Sequence, residues 1–265
     1  MSLRFRWLGV AGVEIKAGNQ VLAIDPFFTR PNLVQMLWPV QSNLLLAAEM
    51  LPACNVLLVT HPHYDHLMDV PAILENTAAT AYGSANTCQL LSICDVPQTR
   101  MKQLQVGDEL LLGAFRVEVI PGQHSSLPFG WLINGHVLPA LHTPLHVWDY
   151  RMDVCLGYRI TVMGCRLLIC AADPRPADVL FAVAQESSSY YRKLISSVRP
   201  NTFIPIHWDN FTRTINKPIR RISRPGRLPL WQVSRLARQL MPTLDVVVPD
   251  IFREYTLGAD GKVQD

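Results

Sequence analysis

Between positions 61 and 66 the chain reads HPHYDH, which places His61, His63, Asp65 and His66, four side chains able to bind a metal ion, within six residues. In extended backbone residues i and i+2 project to the same side, so His61 and His63 can present their imidazoles to one ion. Asp65 and His66 follow where the chain turns toward a helix, which aims them at a neighbouring position. Four donors so placed can serve two ions side by side. A lone histidine after a strand is more often a hydrogen-bonded structural residue. Three of them with an aspartate would crowd and desolvate one another unless an ion organised them.

Such a cluster needs a rigid support. Residues 55–60 (NVLLVT) form a continuous apolar run of the length expected for a strand buried on both faces, and the run ends directly at His61. Ahead of it the pattern predicts strands over 3–8, 13–16 and 21–24 and a helix over Leu44–Met50. Behind it come a helix over 67–75, a strand over 79–82, a helix over Ala85–Ile93, and strands over 110–112 and 115–120 joined by a turn at Gly113 and Ala114. The second half predicts strands over Leu156–Val162 and 167–171, a helix over 177–197, a strand over Thr202–Ile206, a helix over Leu230–Leu240 and a strand over 245–248. No linker rich in Gly or Ser and no repeat divides the chain, so residues 1–265 are expected to form one domain with helices on the outer faces of sheets.

The pattern H-x-H-x-D-H after a buried strand resembles the signature of the metallo-beta-lactamase superfamily, and the resemblance extends over nearly the whole chain. It implies an α+β fold, an αββα sandwich of two mixed sheets packed face to face, with the metal site along one edge. It also implies further ligands in order: His124 in PGQHS, Asp173 in CAADP and His207 in PIHW, with Asp25 in AIDP supporting the ligand loop. By the same resemblance His61, His63 and His124 would hold one ion and Asp65, His66 and His207 a second. Asp173 would bridge them, leaving Asp65 and Asp173 as the catalytic carboxylates. The family commonly has Gly-Asp-Thr around the bridging aspartate, and here Ala172 and Pro174 flank it, which alters its surroundings.

Two divalent ions are therefore expected, with zinc first because imidazole-rich ligation suits it and manganese or iron as alternatives. The family chemistry is attack by a hydroxide bridging the ions on an ester-like bond. Within the family the chain resembles the stand-alone hydrolases, similar to the ascorbate-phosphate lactonase and the phospholipase D acting on N-acylated phosphatidylethanolamine, which implies a lactone or a phosphodiester as substrate. A metal-binding scaffold without turnover and an iron-dependent redox enzyme are the alternatives on the same fold.

The chain has 265 residues, 49% hydrophobic and 17% charged, with 24 Lys and Arg against 21 Asp and Glu. A net charge of +3 over this length creates no field of the kind nucleic-acid binding needs, so a small-molecule substrate is expected instead. Six cysteines without a C-x-x-C pair read as reduced thiols, and no signal peptide or membrane span is evident; a cytoplasmic protein is expected. Nothing in the sequence sets the oligomeric state. The stretch 119–148 lacks any Asp, Glu, Lys or Arg and follows the strand leading to His124. It is expected to pass over the site, with Phe129, Trp131, Leu132, Leu138, Leu141, Leu145 and Trp148 as pocket walls and His136, His142 and His146 as spare acid-base groups. An ordinary structural covering is the equal alternative. The run 213–227 holds six cations, Arg220 and Arg221 among them, and no acid; it would recognise phosphate or form a solvated face.

Overall fold

The computed structural model describes residues 2–124, 130–184, 186–222 and 225–264. One sheet of eight strands runs, edge to edge, through Val263–Gln264, Glu254–Leu257, Leu3–Gly9, Gly12–Ala17, Gln20–Ile24, Val56–Leu58, Thr80–Gly83 and Met101–Gln103. A second sheet of seven runs through Asp245–Val246, Thr202–Ile206, Val179–Val183, Cys165–Ile169, Leu156–Val162, Phe115–Pro121 and Glu109–Leu112. Each sheet joins an antiparallel meander to parallel strands, so both are mixed.

Strand periodicity sorts the apolar residues between two layers. In Gln20–Ile24 and Val56–Leu58, Leu22, Ile24, Val56 and Leu58 face inward onto Phe115, Val117, Leu167, Phe181 and Ile204 of the other sheet. Their neighbours Val21, Ala23 and Leu57 face out and are covered by helices Leu44–Met50, Val70–Asn76 and Ala85–Ile93 through Ala47, Ile73 and Leu90. On the other side Ser188–Val198 and Leu230–Leu240 cover Leu168, Leu180 and Phe203 with Tyr191, Leu194 and Val233. The result is the expected α+β sandwich of helices, sheet, sheet and helices.

Two expected helices differ from those formed. The helix expected over 177–197 is a strand, Val179–Val183, followed by the helix Ser188–Val198. The run VLFAV is buried between two parallel neighbours, and Ser187 starts the helix by accepting a hydrogen bond from the Tyr190 amide. The helix expected over 67–75 is two, Tyr64–Leu67 and Val70–Asn76, separated at Met68 and Asp69 with Pro71 opening the second. Asp69 is fully buried there, and its carboxylate accepts from the amides of Phe28 and Thr29 and from the hydroxyls of Thr29 and Ser42. Among the described residues no helix is long and apolar enough to cross a membrane.

Candidate metal centre

Strand Val56–Leu58 delivers the HPHYDH loop to the rim of the sandwich, and a hydrogen-bonded scaffold fixes how each imidazole points. Asp25, with a left-handed φ of 44° at the end of Gln20–Ile24, turns its carboxylate under the loop. Its Oδ1 accepts the Thr60 amide at 2.8 Å, and its Oδ2 accepts both the Thr60 hydroxyl and His66 Nδ1, the latter at 2.8 Å. The Thr60 hydroxyl also lies 3.0 Å from His61 Nδ1. With their Nδ1 atoms so engaged, His61 and His66 offer Nε2. His63 is turned the other way, with its Nε2 3.2 Å from the Ile133 carbonyl.

The second sheet supplies the remaining donors. Strand Phe115–Pro121 leads to His124 through Gly122 and Gln123, whose amides bond to the carbonyls of Cys155 and Cys170 at 2.9 and 2.8 Å. Strand Thr202–Ile206 leads to His207, held at a left-handed φ of 57° with its amide on the Val10 carbonyl at 2.7 Å. The donor atoms fall into two triads, His61 with His63 and His124, and Asp65 with His66 and His207, each within 4.8 Å of one another. Rings of His61 and His66 lie 3.9 Å apart, so the triads adjoin. Asp65 Oδ2 is 3.6 Å from Nε2 of both His66 and His207.

This donor set fits divalent metal. His61 Nε2 is buried and has no hydrogen-bond partner, a cost that a ligated ion removes. Burial and the neighbouring imidazoles hold His61 well below the ordinary histidine range and bring His124 down to about 4, and burial lowers His63 as well, though Asp65 opposes it, so this triad is biased toward the neutral imidazoles that metal ligation requires. The other triad is charged. Burial opposes the His66 cation, yet the carboxylates of Asp65 and Asp25 outweigh it and raise His66 to about 9. Burial likewise opposes ionised Asp65, but His66 and His207 hold its carboxyl well below the usual range. An ionised carboxylate at this position is able to ligate a divalent ion.

Asp173 is not brought to this centre. Strand Cys165–Ile169 ends before it, the chain reverses at Cys170 with a φ of 54°, and Ala171 pairs with Gly122. Cys170 thereby takes the inward position, and the Asp173 side chain is 56% exposed with Arg175 Nε 3.4 Å away. The expectation of a bridging, catalytic aspartate at 173 is corrected.

Above the triads lies a cavity of about 470 Å³ whose remaining walls are mostly apolar: Leu33, Met36, Leu132, Ile133, Val147, Trp148, Val183 and Phe211. Tyr64, Gln123 and Thr212 add neutral polar groups, and no Lys or Arg among the described residues lines it. The stretch 119–148 thus provides part of the wall, while Val137 and Leu145 are buried in the outer core as structural covering. Trp131, 71% exposed, and Leu138 stand outside the cavity, and Phe129 lies outside the described residues. Of the spare histidines, His136 and His142 are exposed, and His146 stacks on Trp148 at 4.5 Å; none lines the cavity. Arg220 and Arg221 are exposed and also outside it, with Arg220, Arg213 and Lys217 bordering a separate shallow recess. Leu33, Met36 and Phe211 were not singled out from sequence, because their approach to the site depends on loops far from the ligand motif.

Fold and site together define a metal-dependent hydrolase built on the metallo-beta-lactamase sandwich. Residues 21–173, more than half of the chain, match the family model of the beta-lactamase superfamily domain, and the chain belongs to that superfamily. A relative from Polynucleobacter asymbioticus, named a UPF0173 metal-dependent hydrolase, is 26% identical over 218 residues that make up 77% of this chain and 73% of that one. Among solved structures, the metallo hydrolase Igni18 of Ignicoccus hospitalis superposes with a TM-score of 0.63 at 14% identity, covering 97% of this chain and 99% of that one. CmlA, a diiron beta-hydroxylase of Streptomyces venezuelae, superposes at 0.59 with 13% identity, covering 97% of this chain and 54% of that one. The shared fold therefore spans more than one reaction.

Proposed function

We propose that this protein holds two divalent ions, zinc in the first instance, in its two triads and hydrolyses a carboxylic ester or lactone bearing an apolar group. The observation that carries the reading is two adjoining donor triads on the floor of a cavity whose other described walls are mostly apolar and carry no Lys or Arg. Ions bound there would supply Lewis-acid polarisation of the scissile carbonyl and a water acidified into the neutral range. The chain's own residues do the rest. Asp25 and Thr60 hold His66 and His61 in their ligating orientation, and the Ile133 carbonyl does so for His63. Leu132, Trp148 and Phe211 exclude water and bind the apolar part of the substrate, while Gln123 and Thr212 offer neutral hydrogen bonds. An ester or lactone is preferred to a phosphodiester within this reading because the walls beyond the ions offer apolar contact and neutral hydrogen bonds and no guanidinium or ammonium.

The test is metal analysis followed by a substrate panel. Purified protein is expected to carry up to two transition-metal ions per chain, and His63→Ala to lose at least one, because the remaining donors are too few for tight binding. Hydrolysis of aryl esters and lactones should stop on chelation and return with zinc. Metal content in His63→Ala equal to the parent, or metal-loaded protein inert across esters, lactones and phosphodiesters, defeats the reading. Iron in place of zinc together with oxygen consumption would favour a redox enzyme.

A further inference from the structure

Directly behind the ligands lie two cysteines that the hydrolytic chemistry does not use. Cys155 Sγ and Cys170 Sγ are 3.7 Å apart, in van der Waals contact, and both residues are half-buried, Cys170 against the edge of the inner core. They are the only two thiols placed against each other among the described residues; Cys54 instead donates to the Val21 and Val56 carbonyls, and Cys165 lies in the core. Their position is specific. Cys155 Sγ is 4.0 Å from His61 Nδ1, and Cys170 Sγ donates to the Gln123 carbonyl at 3.3 Å. The backbone carbonyls of the same two cysteines accept the amides of Gly122 and Gln123, the two residues that lead into His124. The pair therefore brackets the segment that delivers one ligand and touches the ring of another.

We propose that Cys155 and Cys170 form an oxidisable dithiol, a modification site for hydroperoxides whose disulfide disturbs the metal centre. One thiol takes an oxygen from the peroxide, breaking the O–O bond and releasing water or an alcohol. The second thiol then attacks the resulting sulfenic sulfur, forming the S–S bond and expelling water. Two thiols are oxidised by two electrons in all, and one hydroperoxide is reduced by two. An S–S bond of about 2.05 Å requires the sulfurs to close from their present contact. That closure removes the S–H to Gln123 bond and draws Cys155 from the His61 ring, so the loop carrying His124 and the orientation of His61 change together. Formation of the disulfide stands on the thiol geometry alone; its effect on metal rests on the hydrolase reading above.

Protein as purified would be titrated with hydrogen peroxide and its thiols counted after denaturation. The expected result is a fall from six thiols to four, a mass loss of about 2 Da, and tryptic peptides containing Cys155 and Cys170, otherwise cut apart at Arg159 and Arg166, joined by a dithiothreitol-sensitive bond. Cys155→Ser and Cys170→Ser should each prevent the crosslink while the unoxidised variants fold and bind metal as the parent does. In the parent, oxidation should release at least half of the bound metal, and dithiothreitol with zinc should restore it. Six thiols surviving a slight excess of peroxide, or oxidation of these cysteines to sulfinic acid with no joined peptides, overturns the site. A crosslink that leaves metal content unchanged overturns its hold on the centre. Reduced protein that never binds metal defeats the hydrolase reading instead, and the crosslink would still form.

Discussion

Each imidazole in the centre is oriented by a group behind it, and Asp25 carries the largest share. Its two oxygens serve the Thr60 amide, the Thr60 hydroxyl and His66 Nδ1, so one buried carboxylate sets the entry angle of the ligand loop and the tautomer of a ligand at once. Asp25→Asn keeps the shape but gives up the charge and one acceptor. The expected outcome, read by competition with a chelator, is metal affinity weaker by about 10–100-fold with the fold retained. Asp173→Ala in the same assay should leave affinity unchanged, because that side chain faces solvent beside Arg175; a loss as large as that of Asp25→Asn would return Asp173 to the centre. The contrast shows what single residues disclose in sequence. The HPHYDH spacing is local, and its donors do converge. Which residue at the end of Cys165–Ile169 turns inward depends on the pairing of Ala171 with Gly122, nearly fifty positions away, and no local pattern records it. Asp69 was equally silent, since its partners Phe28, Thr29 and Ser42 come from a distant loop.

At the level of elements, strands that end at candidate metal donors were legible because they are apolar on both faces and terminate abruptly in His or Asp. The segment 177–197 was not, since a strand and a helix follow each other with only a short apolar run to separate them. What distinguishes VLFAV is its place between Cys165–Ile169 and Thr202–Ile206, a tertiary fact. The same holds for the covering stretch 119–148, whose described residues divide among the outer core, the cavity wall and the exposed surface. Trp148 and Phe211 approach the cavity from separate loops, and an acyl chain lying against them would gain about 0.8 kcal/mol per buried methylene, roughly a fourfold rise in kcat/KM for each carbon. Catalytic efficiency is therefore expected to climb with acyl length across a series of aryl esters until the cavity is full. Phe211→Ala and Trp148→Ala should flatten the climb while Trp131→Ala, outside the cavity, leaves it intact. A flat series in the parent, or a preference for the smallest and most polar esters, is the result that removes these walls from substrate binding.

Across the whole molecule the centre exists only when the two sheets are packed, because His61, His63, Asp65 and His66 come from loops of one and His124 and His207 from loops of the other. The tie between the sheets at this rim is a buried clamp. The Val10 carbonyl accepts the His207 amide at 2.7 Å, the Val10 amide donates to Asp209 Oδ1 at 2.9 Å, and Asp209 Oδ2 pairs with Arg30 at 2.8 Å. The guanidinium fills the space beside Gly9, where a Cβ would stand 1.8 Å from Arg30 Nη2 and the φ of 88° already favours glycine. Both charged side chains are almost wholly buried. A buried pair is not a large net source of stability, but removing one charge leaves the other unpaired in a low-dielectric interior, at about 3–5 kcal/mol. Asp209→Asn keeps an oxygen for the Val10 amide and deprives Arg30 of its counter-charge, so urea unfolding of the metal-free protein should lose about that much. Because Asp209 lies two residues from His207, an ion held by the Asp65, His66 and His207 triad should also be released at lower chelator concentration in this variant than in the parent. Arg30→Met combined with Asp209→Leu removes both charges together and should recover stability relative to Asp209→Asn, although the Val10 amide then lacks its acceptor. A loss below about 1 kcal/mol for Asp209→Asn, with both metals released as in the parent, would show that the sheets are held at this rim by apolar packing alone and that His207 does not depend on the clamp.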